Sequence, residues 1–537
     1  MCFSYKRAAG CYLLTVIMFL VCILRLLAVA TDERYSAAAQ SESRRVISLG
    51  YSRGTVFDCN MKKLTNERTE YYTLFFNETE ALSSLYGWFS GEEIKTLTEE
   101  ITQKGFAVRK LSHRLSADGV YTYPVSVNVD DSTVARHLIG YTDGEGRGVS
   151  GIQSAFDSLL YTEKENTLSF SISGTGERLY GEEPMLNYDY STENSGVKLT
   201  VDKDIQQIAE QQAVSIKSGA IIISEVGTGK IRALVSRPDY KLSQLSTALS
   251  DGSEPLLCRF FSLYNIGSVF KPVVAAAGYE EGLNFSTNCV GYTDVDGLTF
   301  ACHKSGGHGG VDITAALKFS CNSFFYQYIQ NIGVEKIENI SKSAGLLNDI
   351  YLANGIVCPK GKLGNLSVLG RSKRALANLS IGQGEMLLTP LAITQVYAAI
   401  ANGGSYHPLS LVEATVKNGK PAEFIPKTAK VGVMSEDTAQ KLKYDLSQVL
   451  SEGGTGESAK PTQTTAAGKT GTAQTGVIKN GKKVTNSWFC GFFPLENPKY
   501  AVTVLSENAA GGCGKVFAGV ADAITELEYL RNRENGN

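Results

Sequence analysis

The sequence lacks several features that mark nucleic-acid- and nucleotide-binding proteins. Its 537 residues carry a formal net charge of only −2, which leaves no global basic surface for nucleic acid. Gly468-Lys469-Thr470 resembles part of a phosphate-binding loop, but such a loop requires a glycine where Gln463 stands. The Gly-Lys pair at Gly229 is followed by Ile231 instead of the hydroxyl residue that binds Mg²⁺. These absences exclude a nucleotide loop at both places.

The 11 cysteines are scattered and include no Cys-x-x-Cys pair. This spacing argues against a zinc site, and no metal is expected. Cys289 and Cys302 could form a disulfide, although buried free thiols are at least as compatible with the sequence. The chain also contains no internal repeat and no low-complexity tract.

One long apolar segment lies at the N-terminus. Lys6 and Arg7 precede an apolar stretch from Ala8 to Ala30 that contains one charge, Arg25. The stretch is long enough for one membrane span, while Ala28-Val29-Ala30 resembles a signal-peptide cleavage site. We favour a retained signal-anchor, with residues 1–30 forming a cytoplasmic tip and one transmembrane helix. The positive flank then places everything after residue 30 outside the cytoplasm.

Length and composition indicate two to four folded domains, with 43% hydrophobic and 20% charged residues. A polar stalk is predicted for residues 31 to about 50, a mixed domain to about residue 193, and a linker at Ser191–Gly196. Strands, then helices, then strands and a last helix follow, which predicts an antiparallel sheet with an inserted helical lobe. Strands are predicted at 218–224, 231–236 and 500–505, and two more strands are predicted to meet at a turn at 479–482. Helices are predicted at 203–216, 269–281, 312–331, 391–402, 436–451 and 516–530.

The first candidate catalytic motif is Ser268-Val269-Phe270-Lys271. Residues three apart on a helix share a face, so the serine hydroxyl and the lysine amine can meet. A desolvated lysine can lose its charge and accept the serine proton, and a helix N-terminus adds backbone donors near an acyl oxygen. Pro272 indicates that the helix begins here. A second Ser-x-x-Lys, Ser195–Lys198, lies in the predicted linker and is interpreted as a chance match.

The second candidate motif is Ser320-Cys321-Asn322, within an apolar helical region. Two polar residues flank one buried position. Ser320 could relay a proton and Asn322 could hold a substrate amide. Taken alone, the motif is better explained as a helix-breaking turn whose side chains bond to their own backbone.

The third candidate motif is Lys469-Thr470-Gly471, on a predicted edge strand. Lys469 would supply a cation for a peptide carboxylate, and the hydroxyls of Thr470 and Thr472 would supply short donors. Gly471 would let another backbone lie close, as in strand addition. An anion at this lysine is therefore better interpreted as a peptide C-terminus than as a phosphate.

Together the three motifs resemble those of the penicillin-binding proteins, the serine D,D-transpeptidases that cross-link bacterial peptidoglycan. Longer segments carry the same resemblance: Tyr264–Pro272, Gly307–Asp312, Ser380–Glu385 followed by Thr389-Pro390, Gly468–Gln474 and Ser487–Phe492. The N-terminal half resembles the monofunctional, class B branch in three segments: Arg53–Asp58, Arg136–Tyr141 and Gly151–Asp157. No glycosyltransferase-type acidic signature occurs in the first 195 residues. The departures from the family pattern, Cys59, Met61, Gln153 and Cys258, lie outside the catalytic motifs.

The resemblance implies an α+β fold: a pedestal domain at 31–195 and a penicillin-binding/β-lactamase-like transpeptidase domain at 196–537, with the antiparallel sheet flanked by helices. It implies Ser268, Lys271, Ser320, Asn322 and Lys469 as catalytic residues, and Thr470, Gly471 and Thr472 as substrate-binding residues. Peptidoglycan stem peptides are the implied substrates and β-lactams the implied inhibitors, with no cofactor. A separate membrane glycosyltransferase is the partner implied by analogy. Two alternatives stay open: a carboxypeptidase or β-lactamase-type hydrolase, and a mainly structural component of the cell-wall machinery.

Overall fold

The computed structural model describes residues 2–32, 43–174, 177–179, 183–425, 428–479 and 481–536. Its first helix, Cys2–Thr31, is apolar and long enough from Tyr5 onward to cross a membrane, and none of that stretch is buried against the protein. The predicted N-terminal apolar helix is therefore confirmed. About half of the predicted stalk, residues 33–42, lies outside the described residues, and its last part is wrong as a stalk because it belongs to a strand, Arg44–Arg53.

The chain divides into two compact units, of which the first comprises Met1–Ser52, Glu67–Val127 and Thr162–Tyr190. It contains two three-stranded sheets: Arg44–Arg53 with Tyr161–Ser171 and Met185–Asn187, and Phe106–Leu111 with Arg68–Phe76 and Val120–Val127. Its helices are Thr79–Ser84 and Gly91–Lys104, the second closed at its N-terminus by a reciprocal Ser90–Glu93 capping box. Consecutive buried residues of one strand, Leu74 and Phe75, belong to two different apolar clusters, so that sheet buries both faces.

The second unit comprises Arg53–Asn66, Asn128–Tyr161 and Ser191–Asn537. Its centre is a five-stranded antiparallel sheet in the order Ile231–Arg237, Gly219–Glu225, Tyr500–Ser506, Lys482–Phe493 and Ala467–Lys479. The sheet has Ala467–Lys479 at one edge, as predicted. The three inner strands are rich in β-branched and aromatic residues, and nearly all of Gly219–Glu225 and Tyr500–Ser506 and the second half of Lys482–Phe493 are buried.

Helices cover both faces of this central sheet. Thr503 accepts a hydrogen bond of 2.8 Å from Thr394 of the buried helix Pro390–Ala401. Phe489 pairs with Val504, the residue after Thr503, so its side chain points to the opposite face of the sheet. The centre of its ring lies 4.5 Å from that of Phe517 in the last helix, Cys513–Asn535. The sheet is therefore sandwiched between these two helices, and the predicted α+β class is confirmed.

The remaining helices and strands surround the sheet. A helical group contains Lys271–Glu280, Ile313–Lys318, Asn322–Ile332, Val334–Ser343, Leu366–Arg371, Lys373–Ser380 and Glu436–Val449. Helix Lys203–Gln212 precedes the first sheet strand, and short helices lie at Arg136–Ile139, Gly151–Ala155, Asp157–Leu160, Tyr190–Glu193 and Leu245–Ser250. Two-stranded ladders are Thr287–Cys289 with Gly309–Val311, Tyr292–Val295 with Leu298–Ala301, Ile350–Ala353 with Ile356–Cys358, and Ser405–Tyr406 with Val431–Gly432.

Two stretches that the sequence assigned to the pedestal, 53–66 and 128–161, belong to the second unit. The cause is a non-local pairing: Thr55–Phe57 runs parallel to Gly196–Leu199, and Val412–Lys417 and Lys420–Phe424 extend the same sheet. A Cβ atom on Gly196 would lie 1.8 Å from the Thr55 carbonyl oxygen. Gly196, the last residue of the predicted linker, is thus a strand residue held in close backbone contact.

Candidate active site

The first motif forms a turn that leads into a helix. Ser268 lies in a short 3₁₀ segment, Gly267–Phe270, and helix Lys271–Glu280 begins directly after it. Pro272 occupies the first turn of that helix, where no N–H donor is needed. The predicted helix start is therefore confirmed. Ser268 is half-buried and Lys271 is fully buried, so the hydroxyl is open to a ligand whereas the amine is shielded from water.

The Lys271 amine joins the first motif to the second. Its Nζ donates hydrogen bonds to the Ser320 carbonyl oxygen at 2.7 Å, to Ser320 Oγ at 3.1 Å and to Asn322 Oδ1 at 2.8 Å. Phe325 covers it from one side, with the ring centre 5.2 Å away. Within the part of the chain that the structure describes, these bonds go to the second motif and none goes to Ser268. The first two predicted motifs thus converge on one ammonium group.

The second motif is a tight turn between two helices. Helix Ile313–Lys318 ends just before Ser320, whose φ of +53° lies in the left-handed region that a non-glycine residue adopts only under constraint. Cys321 then occupies the N-cap position of helix Asn322–Ile332. The single predicted helix 312–331 is therefore wrong, because this turn divides it. Ser320 and Asn322 remain half-buried at the site while Cys321 is fully buried behind them, which confirms the predicted alternation.

The third motif lies against the nucleophile turn. A Cβ atom on Gly471 would lie 2.9 Å from Val269 Cγ1 and 3.0 Å from the Ile266 carbonyl oxygen. On the other side of the contact, Gly267 has a φ of +61° and its Cβ would lie 2.6 Å from the Thr472 carbonyl oxygen. Glycine is required at both positions because the two backbones touch. The space beside Gly471 is therefore occupied by the Ile266–Val269 turn of the same chain. The sequence interpretation had assigned that space to the backbone of a substrate peptide.

Burial lowers the pKa of both motif lysines, Lys271 and Lys469. Desolvation lowers the pKa of Lys271 from 10.5 to about 7, although electrostatic interaction with the nearby Cys321 and Cys302 side chains acts in the opposite direction. Lys469 is also fully buried, and desolvation together with the nearby Lys271 charge lowers its pKa well below 10.5. Its Nζ donates to the Thr470 carbonyl oxygen at 3.2 Å. A carboxylate placed beside Lys469 would raise that pKa again and restore the cation that the sequence interpretation assumed.

Three supporting residues were not predicted. Tyr397 donates a hydrogen bond of 3.0 Å to the Val269 carbonyl oxygen. Gly382 accepts a bond of 3.0 Å from the Gly267 N–H, and a Cβ there would lie 2.1 Å from the Gly267 oxygen. Thr455 accepts a bond of 3.2 Å from Thr470 and itself donates to the Lys318 oxygen. Only Gly382 carried a sequence signal, the Ser-Ile-Gly-Gln-Gly segment.

A group of possible metal ligands lies directly behind the second motif. Cys289, Cys302, His308 and Cys321 each direct one ligand atom to a common point, and these atoms lie within 4.8 Å of one another. Cys289 and Cys302 are buried free thiols, so the disulfide considered for them is absent from the described residues. The spacing argument against a zinc site missed this group, because its members come from separate segments that only the fold brings together.

The central sheet, the helical group and the three convergent motifs define the transpeptidase class of penicillin-recognising enzymes. Residues 219–526, more than half of the chain, match the family model described as penicillin binding protein transpeptidase domain. The chain belongs to this family, and its relatives place it in the class B branch.

Relatives and solved structures agree with this assignment. Stage V sporulation protein D of Bacillus subtilis is 27% identical over 94% of this chain and 82% of the relative. The peptidoglycan D,D-transpeptidase MrdA of Acinetobacter baumannii is 26% identical over 72% of this chain, and the matched region spans 61% of the MrdA length. The penicillin-binding protein 2–MreC complex structure from Helicobacter pylori matches 91% of this chain and 99% of its own, with a TM-score of 0.63 at 21% identity. The predicted family, branch and fold are confirmed.

Proposed function

We propose that the protein is a serine-type D,D-transpeptidase that cross-links peptidoglycan stem peptides through an acyl-enzyme on Ser268. One observation carries the proposal: the buried Lys271 amine bridges Ser320 and Asn322 one helical turn from the half-buried Ser268. The family assignment and the relatives named peptidoglycan D,D-transpeptidase support the same reaction. A site with a desolvated lysine, two hydroxyl groups and a neighbouring strand suits acyl transfer without a cofactor.

The acylation step uses the lysine as a base. Neutral Lys271 accepts the proton of Ser268 as the Oγ attacks the carbonyl carbon of the penultimate D-Ala. Backbone N–H groups of Ser268 and Thr472 would stabilise the oxyanion of the tetrahedral intermediate, since the two backbones lie side by side. The bond from carbonyl carbon to amide nitrogen then breaks. Lys271 returns the proton through Ser320 Oγ to the departing D-Ala nitrogen.

The stem peptide would lie along the strand Ala467–Lys479. Its C-terminal carboxylate would face Lys469, with the Thr470 and Thr472 hydroxyls as further donors, and Asn322 would hold a substrate amide. In the second half-reaction an amine from a neighbouring stem attacks the acyl carbon and passes its proton to the Lys271–Ser320 pair. The Ser268–acyl bond breaks, Ser268 recovers its proton, and a new amide bond is the cross-link.

The remaining expectations concern location and partners. The N-terminal helix fits a single-pass membrane anchor, and its positive flank would place the catalytic unit outside the cytoplasm. The site would face its peptidoglycan substrate there and would be inhibited by β-lactams, which acylate the same serine. A separate membrane glycosyltransferase would supply the glycan strands, because no glycosyltransferase signature was found in the first 195 residues.

The function can be tested with full-length protein in detergent and a stem pentapeptide ending in D-Ala-D-Ala. With a D-amino acid present as acceptor, we expect release of D-Ala and a peptide carrying that acceptor at its new C-terminus, both measured by mass spectrometry. Release of D-Ala to water at the same rate with and without the acceptor would instead indicate a hydrolase. Absence of both D-Ala release and an acyl-enzyme mass would favour a structural role.

The pH dependence of acylation follows from the Lys271 pKa. Burial lowers that pKa to about 7, and only the neutral amine can accept the Ser268 proton. Below the pKa the neutral fraction falls, so we expect the rate of labelling by fluorescent penicillin to drop about tenfold per pH unit on the acid side and to level off above it. The melting temperature at each pH serves as the control for folding. A rate that is flat or falls as pH rises through 7 would contradict the role of Lys271.

A further inference from the structure

A chain of hydrogen bonds joins the third motif to the second through a residue that belongs to neither, Thr455. This residue lies in the segment between helix Glu436–Val449 and strand Ala467–Lys479. Its Oγ accepts a bond of 3.2 Å from the Thr470 hydroxyl. Its Oγ and its backbone N–H both donate to the Lys318 carbonyl oxygen, each at 3.1 Å. Lys318 ends the helix that leads into the second motif, so Thr455 connects the two motifs.

The hydrogen bonds of this chain run in one direction. A hydroxyl group has one proton to donate, whereas a carbonyl oxygen can only accept. Thr455 therefore gives its proton to the Lys318 oxygen and accepts the proton of Thr470. The Lys469 amine, 3.4 Å from Thr470 Oγ, donates to a lone pair of that oxygen. The Thr470 proton is thus directed at Thr455, and the Thr470 oxygen is held between two neighbours.

Close backbone contacts hold Thr455 in place although its side chain is exposed. Gly454 precedes it, and a Cβ atom there would lie 2.2 Å from the Val449 carbonyl oxygen. Gly456 follows it and donates its N–H to the same oxygen at 2.9 Å. Glycine is required at the first of these positions because the turn closes tightly on the end of the preceding helix. The fold of this turn therefore sets where the Thr455 hydroxyl lies.

The arrangement prepares Thr470 for an anionic ligand. This step rests on the proposed function, in which a peptide carboxylate binds beside Lys469. A carboxylate there would accept the Thr470 proton, which turns away from Thr455 by rotation about one bond. The exchange is favourable because a hydrogen bond to a charged oxygen is about twice as strong as one between neutral groups. A ligand whose carboxyl group is blocked as an ester offers no such charge, so this gain is lost.

We propose that Thr455 is a positioning residue that holds the Thr470 hydroxyl ready for the C-terminal carboxylate of the substrate. It thereby sets the preference of the site for a free carboxylate. It acts through Thr470 and takes no part in the proton transfers at Ser268. It also ties the third motif to the end of the helix before the second motif, through the main chain of Lys318 and not through its amine. Loss of the Thr455 hydroxyl should therefore weaken the binding of anionic ligands and leave the chemical step unchanged.

Thr455→Val tests the proposal, because valine has the shape of threonine without the hydroxyl. The full-length protein in detergent is labelled with increasing concentrations of fluorescent penicillin, which carries a free carboxylate, to give an apparent Kd and a limiting acylation rate. We expect the apparent Kd to rise about fivefold, the usual effect of losing one hydrogen bond between neutral groups, and the limiting rate to stay the same. Thr455→Ser, which keeps the hydroxyl, should have the wild-type Kd.

Thr462→Val is the matched control, because Thr462 is an exposed threonine of the same segment whose hydroxyl donates to Asp522 at 2.9 Å. We expect this variant to be labelled like wild type. In a Thr470→Val background, Thr455→Val should have no further effect on the apparent Kd, since the two residues act as one unit. With the methyl ester of the same penicillin, Thr455→Val and wild type should be labelled alike.

The proposal is overturned if Thr455→Val lowers the limiting rate instead of raising the apparent Kd, or if its effect is the same with the ester. It is also overturned if Thr455→Ser binds as weakly as Thr455→Val, or if the effects of Thr455→Val and Thr470→Val add. Unchanged labelling of Thr455→Val beside a labelled wild type contradicts this inference alone. A wild type that neither compound labels contradicts the proposed function and this inference with it. If the melting temperature shows that Thr455→Val is unstable, Thr455→Ala gives the same comparison with a smaller side chain.

Discussion

Replacing Ser268 by alanine is expected to abolish labelling of the full-length protein by fluorescent penicillin. Loss of a nucleophile that acts together with its base lowers the rate on the order of 10⁶-fold in well-studied serine enzymes, which is below detection here. Folding should be retained, because Ser268 is half-buried and its neighbours Gly267 and Val269 keep their backbone contacts with Gly382 and Tyr397. The measurement is gel fluorescence after labelling, with the melting temperature as a check on the fold.

Ser195→Ala is the matched control, because Ser195 and Lys198 form the second Ser-x-x-Lys of the chain. Lys198 lies on a strand and forms an ion pair of 2.7 Å with Glu413, so it is not available as a base. We expect Ser195→Ala to label like wild type. Labelling that survives in Ser268→Ala would place the acylated residue elsewhere. If labelling vanishes but Ser268→Ala still rescues growth of a strain lacking the protein, the result would support a structural role instead of a catalytic one.

The local chemistry of the site could be predicted from sequence because each motif is short and has its own geometry. Ser268 and Lys271 are three residues apart at a helix start that Pro272 marks, and Ser320 and Asn322 alternate around a buried residue. The sheet strands and most helices also agree with prediction, since apolar runs bounded by glycine turns are local signals. Convergence of the motifs was inferred from a resemblance, not from spacing.

Features that depend on non-local contacts could not be predicted. The left-handed backbone at Ser320 divides one apolar helical stretch into two helices, and no glycine or proline signals the break. Gly471 contacts the chain's own turn because two segments about 200 residues apart pack together, a distance at which pattern carries no information. The group formed by Cys289, Cys302, His308 and Cys321 could not be predicted for the same reason, because only the fold brings its members together. Met61, one of the departures from the family pattern, has a φ of +64°, a left-handed conformation that favours glycine and that only the structure reveals.

Replacing Lys271 by methionine is the second change with a large expected effect. Methionine fills a similar volume but cannot accept the Ser268 proton, and it leaves the Ser320 and Asn322 oxygens without their donor. We expect the acylation rate to fall by about 10² to 10⁴-fold, the usual contribution of a general base. The rate constant for labelling by fluorescent penicillin measures the loss. Lys318→Met is the control: that lysine lies two residues before the second motif with its amine over the Phe319 ring, and its loss should leave the rate unchanged.

Lys271→Arg separates the two roles that a buried lysine can have. A guanidinium keeps the positive charge and can still donate to Ser320, but it does not lose its proton at any working pH. If Lys271 acts as the base, the arginine variant should be as slow as the methionine variant, and its rate should no longer rise with pH through 7. A Lys271→Arg protein labelled at the wild-type rate would mean that the position supplies only charge, and the proton of Ser268 would then need another acceptor.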